Sequence, residues 1–152
     1  MSNSPQTAAV ILARMDSSRL PGKALLHLAG VPIIEHVIRR LHRCAGLDAM
    51  VLATTSRDVD RPLAEHAAQC GLPVYLAPED EINNVARRFV NAAKSVGADY
   101  ALRINGDSPF PHPWLIQQGI EELHGAPDLV TNLLVRTYPY GVSVEWVKVA
   151  TL

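Results

Sequence analysis

Short apolar runs alternate with amphipathic helical stretches along this chain, and that rhythm confines it to a mostly parallel α/β sheet. Ala8-Ala9-Val10-Ile11-Leu12 is an unbroken apolar run of strand length that passes straight into a long polar loop. The first strand is expected over 7–12. Gly30-Val31-Pro32 then introduces a helix with Ile33, Ile34, Val37, Ile38 and Leu41 on one face and Pro32 at its first position. Arg39, Arg40 and Arg43 fall on the far side and in the last turn, a solvated face that complements the helix dipole. A second strand covers 49–53, closed by Thr54-Thr55-Ser56. Asp60 reads as the N-cap of a helix carrying Leu63, Ala64, Ala67 and Ala68 and ending at Gly71.

A short strand at 73–76 follows. The next helix is expected from Ile82 to Val96, with Val85, Phe89, Ala92, Ala93 and Val96 inward and Gly97 as its stop. The fourth strand, 100–104, feeds Asn105-Gly106-Asp107-Ser108-Pro109. A helix over 113–124 and strands over 129–134 and 142–149 complete the series, and the final segments can add an antiparallel strand. The expectation is one domain over 1–152, a three-layer α/β/α sandwich with right-handed crossovers. Residues 1–6 read as a loose polar tail without signal-peptide character. No apolar run approaches the ~20 residues of a membrane span, so the expected location is the cytoplasm, with no membrane partner.

Charge narrows the function. The formal net charge is −1 across 152 residues, whereas nucleic-acid binders carry a clear basic excess. Aromatic side chains make up only 5% of the chain, too few for a base-stacking surface. Nucleic acid is therefore not an expected partner. Against that neutral background, Arg14, Arg19 and Lys23 crowd into the loop after the first strand. The carboxyl ends of parallel strands are where open α/β sheets form their ligand crevice, and these cations suit a polyphosphate there. The competing reading is an ordinary solvated basic loop.

The loop matches neither of the commonest phosphate fingerprints. Gly22-Lys23 is followed by Ala24, and Ser17 stands where a Walker A loop has its first glycine. No G-x-G-x-x-G turn is present. Side chains must then do the gripping: arginine forks hold phosphate oxygens in bidentate fashion and lysine adds a mobile point charge. Asp107, just past the fourth strand, is a candidate Mg²⁺ ligand, since magnesium takes one or two carboxylates plus substrate phosphates. Asn-Gly-Asp-Ser-Pro is also rich in turn formers, which explains an aspartate there without a metal. The histidines (His27, His36, His42, His66, His112, His124) show no ligand cluster, and Cys44 and Cys70 lack zinc-type spacing and read as free thiols. No G-x-S-x-G is present.

Ala13, Arg14, Ser17, Arg19 and Lys23, in the pattern Ala-Arg-x-x-Ser-x-Arg-x-x-x-Lys, resemble the nucleotide-binding loop of the CMP-sugar cytidylyltransferases. These include the CMP-Kdo synthetases, the acylneuraminate cytidylyltransferases and a spore-coat polysaccharide branch, which is the nearest in pattern. Arg19-Leu20-Pro21-Gly22-Lys23, Gly30 to Ile38, Ala53-Thr54-Thr55-Ser56, Arg103 to Pro109 and Arg136 to Gly141 follow in the family's order. The resemblance implies a Rossmann-like nucleotide-diphospho-sugar transferase fold. It implies transfer of CMP from CTP to a sugar acid with release of pyrophosphate, for surface polysaccharide synthesis. Arg14, Lys23 and Asp107 would be catalytic, and Ala13, Arg14, Ser17, Arg19, Lys23, Thr55 and Asn105 nucleotide-binding. Asp107 would hold Mg²⁺, Arg103 and Glu145 would reach the sugar, and a homodimer is implied.

Departures temper the match. Relatives run beyond residue 152, and the family's acidic positions after Arg136-Thr137 read here as Tyr140 and Ser143, leaving Glu145. Arg87 and Arg88 lie where the spore-coat branch begins a helix with an Asp-Arg pair. Either arginine can point into the site or out to solvent. Two rivals stay open: a non-catalytic nucleotide-binding partner subunit, and a GT-A glycosyltransferase. The latter wants Asp-x-Asp where Asn105-Gly106-Asp107 supplies one acid.

Overall fold

The computed structural model describes residues 4–135 and 137–152. Arg136, and Met1 to Asn3 of the expected tail, lie outside them. The chain runs through β1 (Thr7–Leu12), a small hairpin of β2 (His27–Leu28) and β3 (Val31–Pro32), α1 (Ile33–Leu41), β4 (Ala49–Thr55), α2 (Arg61–Gln69) and β5 (Val74–Ala77). It continues through α3 (Val85–Ser95), β6 (Tyr100–Asn105), α4 (Pro113–Glu121), β7 (Leu129–Thr131) and β8 (Glu145–Lys148). Six strands form one sheet in the order β5-β4-β1-β6-β8-β7. The first four are parallel, and β8 joins β6 antiparallel with β7 antiparallel beyond it.

Alternation along the strands assigns the two layers. Ala9 and Ile11 of β1, Leu52 of β4 and Leu102 and Ile104 of β6 pack with Ile34, Val37, Ile38 and Leu41 of α1, Leu63 and Ala67 of α2, and Ile116 of α4. The intervening residues, Val10, Val51, Ala53 and Ala101, face Phe89, Val90, Ala92 and Ala93 of α3. This is the expected α/β/α sandwich, with β1 buried on both faces. Each fully buried Leu or Ile contributes about 1.5–3 kcal/mol. Gly119 of α4 lets the helix close on β8, since a Cβ there would stand 2.7 Å from the buried Trp146 indole.

Several elements depart from the sequence reading. Pro32 is extended (φ −54°, ψ 141°) and pairs with His27, so α1 starts one residue later. The hairpin turns at Ala29 and Gly30, both at positive φ, as a two-residue turn of this kind requires. α3 begins at Val85, with the Asn84 side chain accepting from the Arg87 amide as its N-cap, and Val85 itself is exposed. β7 and β8 are shorter than expected because the Asn132 side chain bonds both the Val142 carbonyl and the Val144 amide, replacing a strand ladder. Gln6 is not loose: its backbone bonds Asp99 and Tyr100 at the edge of β6. Arg40 is not simply solvated, since it lies over the Phe110 ring at 5.6 Å.

Candidate active site

The strand order reverses between β1 and β6: the chain leaves β1 toward β4 and β5, then returns to β1's other side. At such a switch point the loops after the two strands diverge and leave a crevice. Here a cleft of about 370 Å³ opens above them, lined by the 12–19 loop together with Lys23, Ala24, Arg88 and Asp107.

Three anchors hold the walls. Gly106 donates its amide to the Leu12 carbonyl at 2.9 Å. A Cβ on Gly106 would lie 2.7 Å from Ala13 Cβ and 2.9 Å from Ile34 Cδ1, so only glycine lets the β6 exit sit this close to β1. That contact sets Asp107 beside the β1 loop, where its carboxylate Oδ2 pairs with Lys23 Nζ. The loop is closed by the Gly22 amide bonding the Met15 carbonyl at 2.8 Å, with Gly22 left-handed (φ 70°) at the entry to the turn carrying Lys23.

The second anchor is Asp60. It is fully buried and caps no helix, contrary to the expectation from its place before a helix. Oδ1 instead accepts the Met15 amide at 2.7 Å, while Oδ2 accepts from Thr55 Oγ1 and from Arg57 Nη2 at 3.0 Å. The β1 loop is thereby tied to the end of β4. Arg57 also reaches Asp16 at 2.7 Å, and that hydrogen bond, more than the nearby Arg14 charge, holds the Asp16 carboxyl below the usual carboxylate range.

The third anchor is the Ile82 carbonyl. Glu81 is buried and accepts from Tyr75 Oη at 2.9 Å and from Asn91 Nδ2 at 2.6 Å, which pins the segment before α3. The adjacent Ile82 oxygen then accepts from both Arg14 Nη1 (3.3 Å) and Arg88 Nη1 (3.0 Å). Two guanidinium groups thus share one neutral oxygen. Arg88 is 2% exposed and its Nε has no partner among the described residues. Burial, then the Arg14 charge, pushes its pKa down. A buried cation short of partners and crowded by a like charge is stabilised by an incoming anion.

Most of the residues singled out from sequence meet here: Ala13, Arg14, Ser17, Arg19, Lys23 and Asp107 all line the cleft. Thr55 does not, being buried beneath the loop on Asp60. Asn105 lies instead in a depression of about 50 Å³ beside the cleft strand, with Arg103, Ser143 and Glu145. There Arg103 Nη1 stands 3.7 Å from Glu145 Oε1. Of the two α3 arginines, Arg88 enters the cleft, while Arg87 turns to Asp80 and Glu81. The sequence left open which of Arg87 and Arg88 enters the site, and it did not place Asp16 or Asp60 there. Away from the cleft, Glu35, His66 and Cys70 do gather, against the expectation that the histidines form no ligand cluster.

A doubly wound sheet with a cation-lined crevice at its switch point is an α/β architecture whose charge suits an anionic ligand. Comparison with known proteins makes that specific: residues 8–144 match the cytidylyltransferase family model, and the chain belongs to that family. It is 35% identical over 129 residues to a 3-deoxy-manno-octulosonate cytidylyltransferase of Trichlorobacter lovleyi, covering 85% of this chain and 49% of that protein. It is 31% identical over 116 residues to the spore coat polysaccharide biosynthesis protein SpsF of Bacillus subtilis, covering 74% and 47%. A cytidylyltransferase structure from Leptospira borgpetersenii superposes with a TM-score of 0.88 at 26% identity, over 97% of this chain and 62% of that one. A CMP:2-keto-3-deoxy-manno-octonic acid synthetase complexed with CTP superposes at 0.69 with 31% identity, over 83% and 50%. The chain spans about half the length of the curated relatives it matches. Among the described residues, no helix is long and apolar enough to cross a membrane.

Proposed function

We propose that this chain carries the nucleotide half of a CTP-dependent reaction, in which a sugar-acid hydroxyl attacks the α-phosphorus of CTP. The P–O bond to the β-phosphate breaks, pyrophosphate leaves, and a CMP-sugar for surface polysaccharide is formed. The observation that carries this reading is the pair Arg14 and Arg88 on one carbonyl oxygen, with Arg88 Nε buried and without a partner among the described residues. Arg14, Arg19, Lys23 and Arg88 hold the triphosphate; Ala13, Ser17 and the loop backbone face the nucleoside. Such a frame acts by positioning and by absorbing charge on the departing pyrophosphate, which is nearly all that phosphoryl-type transfer asks of a protein.

The donor set suits Mg²⁺. Asp107 offers a hard carboxylate at the cleft wall with Lys23 on only one oxygen, leaving the other for a cation that phosphates help to coordinate. When bound, Mg²⁺ neutralises phosphate charge. Lys23, paired with Asp107 in the ligand-free cleft, would offer its ammonium to phosphate oxygens there. Thr55 acts through Asp60 and not by touching nucleotide, and Asn105, Arg103 and Glu145 face the sugar side. A homodimer, expected from the family, completes the sugar side.

The test is pyrophosphate release from CTP, Mg²⁺ and candidate sugar acids, with calorimetric titration of CTP, ATP, GTP and UTP alongside. Micromolar binding (about −8 kcal/mol) that favours CTP and is lost in Arg14→Ala and Asp107→Ala is the expected result. Absence of nucleotide binding overturns the reading.

A further inference from the structure

Glu35 in the first turn of α1, His66 of α2 and Cys70 at the end of α2 bring one oxygen, one nitrogen and one sulfur donor within 4.8 Å of one another. We propose that these three side chains form a binding site for a borderline-soft divalent metal, Zn²⁺ foremost, on the helical layer and separate from the cleft.

The geometry fits that ion class. His66 Nε2 lies 3.6 Å from Glu35 Oε2 and 3.8 Å from Cys70 Sγ. Zinc bonds of about 2.0–2.3 Å in tetrahedral arrangement place neighbouring N, O and S ligands about 3.4–3.6 Å apart. The two contacts of His66 are thus within a few tenths of an ångström of coordination distances, and the Glu35 and Cys70 donors, within 4.8 Å of each other, close on an ion by side-chain rotation. His66 and Cys70 are one helical turn apart, so α2 holds both on one face. Glu35 is oriented by Arg39, whose Nη2 takes the opposite oxygen, Oε1, at 2.5 Å, the kind of outer partner that leaves a metal-ligating carboxylate oxygen free. A thiolate and a carboxylate balance a divalent charge, and the mixed N/S/O set disfavours Mg²⁺ and Ca²⁺. Three protein ligands leave a fourth position for water, and all three residues are half-buried, so an ion can enter from solvent.

The site does not depend on nucleotide binding. The experiment uses the chelator-stripped, nucleotide-free protein titrated with Co²⁺ as a spectroscopic stand-in for Zn²⁺, then competed with Zn²⁺. The expected result is one equivalent of cobalt with intense tetrahedral bands and a thiolate-to-cobalt charge-transfer band. Cys70→Ser removes the charge-transfer band, and Cys44→Ser keeps it, because the buried Cys44 thiol stands apart from the cluster. Glu35→Gln and His66→Gln each weaken Zn²⁺ binding at least about tenfold, the loss of one ligand being no smaller than that of an outer partner. Asp107→Asn leaves the spectrum unchanged, separating this site from the cleft. Circular dichroism of each variant establishes that it is folded. Only weak octahedral absorption, or a charge-transfer band that survives Cys70→Ser in folded protein, overturns the proposal.

Discussion

The cleft and the depression beside it flank the same strand end, yet they are built in opposite ways. The cleft of about 370 Å³ is walled by loops fastened to the sheet through three anchors: Asp60 under Met15, Gly106 against Ala13, and the Ile82 carbonyl under two arginines. The depression of about 50 Å³ depends on Arg103 and Glu145 across the antiparallel end of the sheet, a partly exposed pair 3.7 Å apart. Groups tied down by buried hydrogen bonds keep their geometry, whereas a lone partly exposed ion pair is screened and mobile. The cleft is therefore fixed before any ligand arrives, and the depression is not.

Removing the deepest anchor tests that contrast most severely. Asp60→Ala strips the Met15 amide, Thr55 and Arg57 of a shared buried acceptor. The expected cost is about 1–3 kcal/mol or more in denaturant unfolding, the penalty for buried donors left without an acceptor, with CTP binding lost as well. A loss under 1 kcal/mol sinks the idea that Asp60 holds the loop.

Arg88 behaves in the opposite sense. Arg88→Met keeps the stem volume and removes a buried cation crowded by Arg14. Nucleotide affinity is expected to fall tenfold to a hundredfold, about 1.5–3 kcal/mol for a hydrogen bond to a charged group, while the ligand-free protein loses almost no stability. Should affinity hold and stability drop instead, Arg88 is a structural residue and the anion frame rests on Arg14 and Lys23 alone.

These two residues also mark how far the sequence could be read. The apolar run of β1 and the cations after it are local signals, so Arg14, Arg19, Lys23 and Asp107 emerged from pattern alone. Asp60 misled because an aspartate just before a Pro-bearing helix is the ordinary N-cap signal; a tertiary bond to Met15, 45 residues away, claimed its carboxylate instead. Arg87 and Arg88 read equally well from sequence, and only the tertiary pull of Glu81 on Arg87 separates them. Glu35, His66 and Cys70 sit on two helices whose approach no spacing rule encodes.

The Gly106 anchor yields a smaller effect. Gly106→Ala drives a methyl into Ala13 and Ile34, and relaxation is expected to cost about 1–3 kcal/mol of stability, as overpacking does. Displacement of Asp107 and of Ala13, beside Arg14, should weaken CTP binding and turnover together. Parallel measurement of kcat, CTP dissociation and unfolding separates this from general unfolding; unchanged CTP affinity in the folded variant would tell against Gly106 as an anchor of the cleft.

The smallest effect belongs to the depression. Arg103 and Glu145 are partly exposed, so Glu145→Gln is expected to change stability by no more than about 1 kcal/mol, the range for surface ion pairs. Nucleotide affinity should stay within twofold of the unaltered protein, since neither residue lines the cleft. If the pair serves the acceptor, its removal appears only as a raised KM for the sugar, and added salt should blunt that rise by screening the same charges. A change in CTP affinity would show instead that the two sides are coupled through β6, whose Arg103 and Asn105 face the depression while Asp107, just beyond its end, faces the cleft.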